Sequence, residues 1–119
     1  MTHNQIIGKF GERLAKNYLI KHGYKIINTN VKLSYQELDI IALKNSQVIF
    51  VEVKTRISQF YGPAENAFQF TKLERFRQAI EMYIGSKKLE VDETRADLIT
   101  VDINRSKKSA KIKHYKDVV

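Results

Sequence analysis

The sequence predicts a small α/β sandwich with its elements in the order αβββαββ. Two segments repeat apolar residues at helical spacing, and several short runs are rich in β-branched residues. One of these runs, VIFVEV, is apolar on both faces, which is typical of a strand in the middle of a covered sheet. With 119 residues, the chain is long enough for one compact domain and too short for two, so residues 1–119 are predicted to form a single domain.

The first helix is predicted from Gln5 to His22. Its apolar residues recur at helical spacing, and they are Ile6, Phe10, Leu14 and Tyr18. Gly23 supplies a stop signal. His22 precedes this glycine and can face the negative end of the helix dipole, so a capping role is predicted for it rather than metal binding.

Three strands are predicted after this helix. The first spans residues 24–33 and has a β-rich pattern interrupted by turn-prone asparagines. The second and third span residues 37–44 and 47–56 and are joined by Asn45-Ser46, a short polar connection suited to a hairpin. The third contains the VIFVEV run and is therefore predicted to lie in the middle of the sheet.

A second helix is predicted after a glycine-proline turn. Thr71 and Glu74 form a capping-box pattern, and Gly85 is expected to end the helix. Its apolar stripe consists of Leu73, Phe76, Ile80 and Tyr83. Two more strands are predicted over residues 96–103 and 110–116, around a basic turn.

The composition excludes several classes of site. The chain has no cysteine, so disulfides, thiolate nucleophiles and cysteine zinc sites are ruled out, and any metal must have oxygen or imidazole ligands. The three histidines show no ligand spacing. No apolar run approaches membrane-spanning length, and the N-terminal segment lacks the apolar core of a signal peptide, so a cytoplasmic location without a membrane partner is expected.

The net charge of +8, from 21 basic and 13 acidic residues, favours a polyanionic partner such as nucleic acid. Six basic residues occupy one acid-free stretch near the C-terminus, and they are Arg105, Lys107, Lys108, Lys111, Lys113 and Lys116. Without them the balance falls to +2. Two interpretations stay open for this basic hairpin: phosphate contact, or a solvated sheet edge that lysines keep soluble.

The hairpin of strands two and three carries the chemistry. If Asn45-Ser46 is a two-residue turn, opposed residue numbers sum to 91, and Asp39 lies opposite Glu52. Directly opposed side chains share a face, with Cβ atoms about 4.5–5.5 Å apart. Opposed like charges are destabilising, so this pair calls for a cation, and Mg²⁺ or Mn²⁺ suits carboxylate oxygens.

Lys54 lies on the same side of its strand as Glu52, one pleat further on, and Arg56 follows it. Its amine is placed to orient a water molecule or to neutralise charge on a phosphorane. The alternative is that Lys54 merely neutralises a buried cluster of acids, an arrangement that costs desolvation. The geometry depends on register, because a slip of one residue would move Asp39 to the opposite face from Glu52.

Glu12 is a further candidate. It lies at the edge of a helix side that contains Gly8, Ala15 and Leu19, with Gly11 nearby. Each glycine inside a helix costs about 0.8–1.0 kcal/mol relative to alanine, so two of them call for a reason. Close approach of the helix to the sheet would be one, and it would bring Glu12 toward the pocket. The alternative, which the sequence supports equally, is that Glu12 is an exposed glutamate on a tightly packed helix.

Other polar and aromatic residues have a structural and a functional interpretation. Three bases of helix two are either phosphate contacts or its solvated face: Lys72, Arg75 and Arg77. Asp97 is expected to pair with Arg95 or another base, and the alternative is a supporting role behind the site. Phe60 and Tyr61, before Gly62-Pro63, are expected in the core, and the alternative is stacking on a base.

In combination these residues resemble the bacterial YraN-like proteins, which have a PD-(D/E)XK nuclease-like fold. The similarity covers most of the chain. Its motifs, in order, are Gly11-Glu12, Ala15, Tyr18-Leu19, Gly23-Tyr24, Asn30, the run ELDIIA from Glu37 to Ala42, the run FVEVKTR from Phe50 to Arg56, Tyr61-Gly62, Lys72 and Arg95-Ala96-Asp97. The chain departs from the family in having Gln36 where a glycine is usual, Lys32 in place of an arginine, and Leu38 in place of the proline of the superfamily's name.

The resemblance implies a restriction-endonuclease-like αβββαβ core, with a mixed central sheet flanked by helices. It implies that Asp39 and Glu52 are metal carboxylates, that the backbone carbonyl of Val53 completes the metal site, and that Lys54 is the catalytic lysine. Glu12 would match the helix-one acid of related Holliday-junction resolvases. Because such enzymes cut two strands, the resemblance also implies a homodimer.

Three functional hypotheses follow. The first is a Mg²⁺- or Mn²⁺-dependent DNA endonuclease that acts on branched or recombination intermediates. The second is a nucleic-acid-binding module without catalysis, and the third is an interaction partner in a DNA-processing complex. In the first two, the bases expected to contact nucleic acid are Arg56, Lys72, Arg105, Lys107 and Lys108.

Overall fold

The computed structural model describes residues 1–57 and 70–119, with the backbone but not the side chains of Phe70, Thr71 and Val91. In chain order, its elements are α1 (His3–Lys21), β1 (Lys25–Leu33), β2 (Gln36–Lys44), β3 (Gln47–Ile57), α2 (Phe70–Lys87), a 3₁₀ turn (Val91–Glu93), β4 (Thr94–Asn104) and β5 (Ser109–Tyr115). The predicted α/β class and the order αβββαββ are confirmed.

The five strands form one mixed sheet in the order β1-β2-β3-β4-β5. β3 and β4 run parallel, and the other neighbours are antiparallel. The strand predicted to be central, β3, lies in the middle of this order. This arrangement is compatible with a restriction-endonuclease-like core. Neither described range contains a helix long and apolar enough to cross a membrane.

The two helices cover opposite faces of the sheet. On one face, Ala15 and Leu19 of α1 pack against buried residues of the central strands, which are Ile40, Ala42, Ile49, Val51, Ile99 and Val101. On the other face, α2 contributes Phe76, Ala79, Ile80 and Tyr83, which pack against Leu38, Ile41, Phe50 and Ala96. Because β3 supplies alternate residues to both clusters, its continuous apolar run is explained by burial on both sides.

The β2–β3 hairpin has the predicted turn and register. Asn45 and Ser46 both have positive φ, 52° and 65°, as a two-residue type I′ turn requires. Lys44 pairs with Gln47, and the register continues without a slip to Ile40 opposite Val51. Opposed residue numbers sum to 91 throughout this stretch, as the sequence predicts.

The buried side of α1 differs from the predicted apolar stripe. The fully buried residues are Gly11, Ala15 and Leu19, whereas Ile6 is 53% exposed and Phe10 is 38% exposed. A Cβ atom on Gly11 would overlap the side chain of Thr55 in β3. Small residues therefore let the helix approach the sheet, and this close packing outweighs burial of the larger side chains at its start.

The ends of α1 follow local chemistry. Thr2 and Gln5 form a reciprocal capping box at the first turn. At the other end, His22 Nδ1 lies 2.8 Å from the carbonyl oxygen of Tyr18, and Gly23 has a φ of +88°. The predicted stop at Gly23 and the predicted capping role of His22 are thus confirmed.

The predicted ends of α2 are wrong. The helix passes through Gly85 to Lys87 and is followed by Lys88 in the left-handed region at φ 54°. Gly85 is an ordinary helical residue with open space where its Cβ would lie. At the start, the helix already includes Phe70, before the predicted cap at Thr71. The side chain of Thr71, and Phe60, Tyr61 and the Gly62-Pro63 turn, lie outside the described residues.

The two glycines of α1 give a matched pair of predictions. Gly11→Ala is expected to destabilise the protein, because its methyl group would displace Thr55, and overpacking of this kind costs about 1–3 kcal/mol. Gly8→Ala meets nothing within 4 Å and is expected to stabilise the helix by about 0.8–1.0 kcal/mol. Urea denaturation of both variants measures these changes. Equal effects of the two substitutions would contradict the close approach of α1 to β3.

Candidate functional site

The site forms where β2 and β3 stop pairing. Backbone pairing between the two strands ends at Ile40 and Val51. Beyond that point, the amide of Val53 donates a 2.9 Å hydrogen bond to Oδ2 of Asp39. The Asp39 carboxylate thus takes the place of a backbone acceptor, and the strands separate beside it. Asn30 on the neighbouring β1 has a positive φ of 51°, so this strand is irregular at the same level.

Asp39 and Glu52 are brought together on one side of the sheet. Their carboxyl groups lie close enough to interact directly. Burial raises the pKa of Asp39 far above its usual range, and the neighbouring Glu52 carboxyl, with its negative charge, raises it further. The structure therefore places two carboxyls where a full double negative charge is unfavourable.

A pocket of about 310 Å³ opens over this pair. Four acids line it, and they are Glu12, Glu37, Asp39 and Glu52. Two bases of α2, Lys72 and Arg75, lie on its wall as well. The pocket is therefore a mixed-charge cleft built by elements from both faces of the sheet.

Glu12 reaches this pocket from α1, as the close approach at Gly11 allows. Burial raises the pKa of Glu12, and the charges of Asp39 and Glu37 raise it further. With its amide nitrogen turned toward the two acids, Asn30 donates to Oε1 of Glu12 at 3.0 Å and to Oε1 of Glu37 at 3.3 Å. The side chain of Asn30 thus holds Glu12 at the α1 side of the pocket.

Lys54 lies beside a second amine. Burial lowers the pKa of Lys54, and its contact with Lys72 lowers it further, while Glu52 and Asp39 act in the opposite direction. The Lys54 amine therefore lies near both a second cation and the carboxyl pair. Lys72, named from the sequence only as one of several bases on a helix, is brought by the fold next to the predicted catalytic lysine.

The donor set at the carboxyl pair suits a hard divalent cation. Since the amide and carbonyl of one strand residue point to the same neighbour, the carbonyl of Val53 faces β2, beside Asp39. Within the described ranges, no group of three or more His, Asp or Glu side chains is arranged to hold a metal. Two carboxylates and one carbonyl remain, and Mg²⁺ is commonly held by one or two carboxylates while it keeps several waters.

The other predicted nucleic-acid contacts lie away from the pocket. Arg56 follows Lys54 on β3 and is level with Asp102 of β4. The basic turn between β4 and β5 has three exposed bases, Arg105, Lys107 and Lys108. Arg105 Nη2 lies 2.8 Å from His3 Nε2, so this turn contacts the start of α1.

Asp97 belongs to a separate buried network. Its carboxylate accepts two hydrogen bonds from Arg95, at 2.9 and 2.8 Å, and one from His114 Nε2 at 2.7 Å. A fourth comes from the backbone amide of Asp117 at 3.0 Å. The expected ion pair with Arg95 is confirmed. Arg95, His114 and Asp117 are not among the residues that line the pocket, so these contacts give no support to the alternative of a supporting role behind the site.

Two further residues lie at the pocket rim: Tyr35 of the β1–β2 turn and Gln36 at the start of β2. The sequence pattern did not indicate Tyr35 as a site residue, and it marked Gln36 only as a departure from the family. Gln36 Nε2 donates a 2.8 Å hydrogen bond to Oε1 of Gln78 on α2. The only signal in the sequence was an aromatic residue in a short turn, and its position over the pocket depends on the pairing of β1 with β2.

Comparison with known proteins finds a matching family model and several relatives of this chain. The model of a family described as uncharacterised protein family UPF0102 matches residues 11–101. A UPF0102 protein of Caldanaerobacter subterraneus subsp. tengcongensis is 38% identical over 106 residues, which cover 89% of this chain and 87% of that protein. One from Clostridium beijerinckii is 40% identical, covering 96% and 93% of the two chains, and one from Flavobacterium psychrophilum is 37% identical, covering 98% and 96%.

Proposed function

The chain belongs to the uncharacterised protein family UPF0102, the YraN-like proteins that its motifs resemble, and from this premise we propose that it is a metal-dependent nuclease of DNA. One observation carries the proposal. Two pairs of like charge lie next to each other at the pocket: Asp39 and Glu52 interact on its wall, and Lys72, also on the wall, interacts with the neighbouring Lys54. The reaction proposed is hydrolysis of a phosphodiester bond.

Each of these like-charged pairs is unfavourable by itself, because neighbouring groups of one sign disfavour each other's charged forms. The acidic and the basic pair attract each other, since Lys72 lowers the pKa of Asp39 and Glu52 raises that of Lys54, but the repulsion within each pair remains. A divalent cation between the carboxylates and a phosphate against the amines would relieve both repulsions at once. The pocket is therefore complementary to a metal ion together with a phosphodiester, and less so to either alone.

The residues that would hold the ion are Asp39 and Glu52 through their carboxylates and Val53 through its carbonyl. Mg²⁺ or Mn²⁺ bound there would polarise a phosphoryl oxygen and lower the pKa of a bound water. Oxygen donors of this kind are the ligands that both ions prefer.

The chain's own side chains would do the rest. Lys72 and Arg75 would hold the non-bridging oxygens of the phosphate, and Lys54 would donate a hydrogen bond where charge builds on the phosphorus. Glu12 would accept a hydrogen bond from the attacking water on the α1 side of the pocket. The oxygen of the water would bond to phosphorus, and the bond between phosphorus and the leaving sugar oxygen would break. The water would give up one proton, and the leaving sugar oxygen would take up one proton, so that the reaction has no net change in protons.

The test is incubation of the protein with branched and linear DNA in Mg²⁺ or Mn²⁺, beside the variants Glu52→Gln and Lys54→Met. Cleavage by wild type and not by the folded variants supports the proposal. Binding without cleavage of any substrate would favour the alternative of a non-catalytic nucleic-acid-binding module. Absence of both DNA binding and metal binding would favour an interaction partner in a DNA-processing complex.

The basic turn is proposed to extend the DNA contact. Thr100 is level with Lys54, and the turn follows Asn104, four residues on, so it projects about 13 Å further along the sheet. Replacing Arg105, Lys107 and Lys108 by glutamine should weaken duplex binding. It should also reduce the slope of log K against log salt by about 0.9 for each phosphate that the variant no longer neutralises.

Fluorescence anisotropy at several salt concentrations measures this slope. The matched control carries glutamine at Lys21, Lys25 and Lys88, three exposed lysines outside this turn. It has the same net charge as the first variant. If both triple variants change the slope equally, the effect is one of net charge, and the turn makes no specific phosphate contacts.

A further inference from the structure

Tyr35 has no structural role that its environment explains. Its side chain is 102% exposed, whereas the other exposed large apolar side chains are more covered by the protein. It occupies the two-residue turn Ser34-Tyr35, between the paired residues Leu33 and Gln36. Ser34 has a positive φ of 61°, as the first central residue of a type II′ turn does. A serine or asparagine would serve such a turn as well as an exposed aromatic ring.

The turn that carries this ring lies at the pocket. Tyr35 lines the same cleft as Asp39 and Glu52. On one side of it, Leu33 packs against the apolar cluster under α2. On the other, Gln36 is hydrogen-bonded to Gln78 of α2 at 2.8 Å. The turn is thus attached to the sheet and to α2 on both sides of the tyrosine, which places Tyr35 at the mouth of the pocket.

The surroundings of Tyr35 match those that bind single-stranded nucleic acid. Lys72 and Arg75 lie on the wall of the same pocket and present positive charge to a phosphate backbone. Sites for single strands combine such a positive groove with an exposed aromatic ring on which a base stacks. In a duplex, both faces of an internal base are already covered by its neighbours, and freeing one face requires unstacking.

We propose that Tyr35 stacks on an unpaired base beside the scissile phosphodiester, so that the preferred substrates are DNA strands with unpaired nucleotides at the cut. This inference rests on the proposed nuclease function, and it adds the class of substrate. Single strands, flaps and junctions with unpaired bases belong to this class, and a fully paired linear duplex does not. Tyr35 acts as a specificity residue and takes no part in bond cleavage.

The variants are Tyr35→Ala, which removes the ring, and Tyr35→Phe, which keeps it. Loss of one base stack is expected to weaken binding of single-stranded DNA about 5- to 150-fold in Tyr35→Ala and to leave Tyr35→Phe close to wild type. Duplex binding should be the same in all three proteins. Phe10→Ala is the matched control, because Phe10 is a partly exposed aromatic residue of α1 outside the pocket wall. Unchanged melting temperatures of the Tyr35 variants establish that the fold is intact.

The readout is fluorescence of an oligonucleotide that contains 2-aminopurine, measured with Ca²⁺ in place of Mg²⁺, followed by cleavage of single-stranded, flapped and duplex DNA in Mg²⁺. Quenching by wild type and Tyr35→Phe, and its loss in Tyr35→Ala, is the expected result. Equal single-strand binding by Tyr35→Ala and wild type, or an equal loss on single-stranded and duplex DNA, would overturn the inference. If wild type cuts no DNA, the nuclease proposal fails, and the quenching data still decide whether Tyr35 stacks on a base.

Discussion

Glu52→Gln is expected to reduce DNA cleavage by at least about 10²- to 10³-fold while the protein stays folded. The substitution keeps the size and the hydrogen-bonding capacity of the side chain and removes its charge. Because Asp39 would then be the single charged ligand at the metal site, we expect the affinity for a divalent ion to fall as well as the rate of DNA cleavage. In the absence of metal, the variant should be at least as stable as wild type, since the neighbouring carboxyls Asp39 and Glu52 no longer repel each other.

Thermal unfolding with and without Mg²⁺ separates these effects. An ion that binds only the folded protein stabilises it by about 1.4 kcal/mol at ten times its Kd, which for a chain of this size is a shift in Tm of about 3–8 °C. Wild type should show this shift and Glu52→Gln should not. The control is Glu81→Gln, an exposed glutamate of α2, which should behave as wild type. A metal-free Glu52→Gln protein that melts well below wild type would indicate that Glu52 has a structural role.

Asp97→Asn is expected to lower the free energy of unfolding at pH 7 by about 3–5 kcal/mol. The carboxylate is fully buried and accepts four hydrogen bonds, from Arg95, His114 and the amide of Asp117. Asparagine presents one oxygen acceptor in place of two and leaves the guanidinium of Arg95 without its counter-ion. The loss should appear in urea denaturation as a lower midpoint with an unchanged slope.

The same residue gives a pH dependence of defined sign. Burial alone would raise the pKa of Asp97, but hydrogen bonds from His114, Arg95 and the Asp117 amide lower it to about 2, below the ordinary value of 3.8. The ionised group therefore stabilises the folded state above about pH 4, and this contribution is lost as the pH falls toward 2. The difference between the pKa of Asp97 in the folded protein and its ordinary value corresponds to about 2 kcal/mol of the free energy of unfolding.

The difference in the free energy of unfolding between wild type and Asp97→Asn should thus become smaller by about 2 kcal/mol as the pH falls from 4 to 2. Comparing the two proteins removes the contribution of the other carboxyls, which titrate in both. Asp92→Asn, at an exposed aspartate, is the control and should follow wild type at every pH. A gap that stays constant across this range would show that Asp97 is not the group that titrates.

Local patterns in the sequence were sufficient to predict the hairpin of β2 and β3 at the centre of the site. Side chains alternate along a strand with a period of two, and a two-residue turn fixes which residues are opposed. The turn at Asn45 and Ser46 therefore places Asp39 and Glu52 on one face of the hairpin without the help of any tertiary contact. The predicted C-terminal end of α2 was wrong because a glycine such as Gly85 permits a helix to end but does not require it. The helix continues to Lys87 and ends where Lys88 adopts a positive φ.

Helix one shows where sequence periodicity is ambiguous. Its large apolar residues and its small residues form two different stripes, and both have helical spacing. The choice between them depends on whether a flat strand surface lies within reach, as Thr55 does for Gly11. That contact also decides whether Glu12 faces solvent or the pocket.

The sequence by itself thus determined the order of elements, the central strand and the register that opposes two carboxylates, because these follow from short-range backbone geometry. Only the tertiary structure decided which distant residues join them. Glu12, Tyr35 and Lys72 come from three separate elements, and their convergence depends on the rotation of each helix and on the pairing of β1 with β2. Those choices are set by packing between elements, which no periodic pattern within a single element encodes.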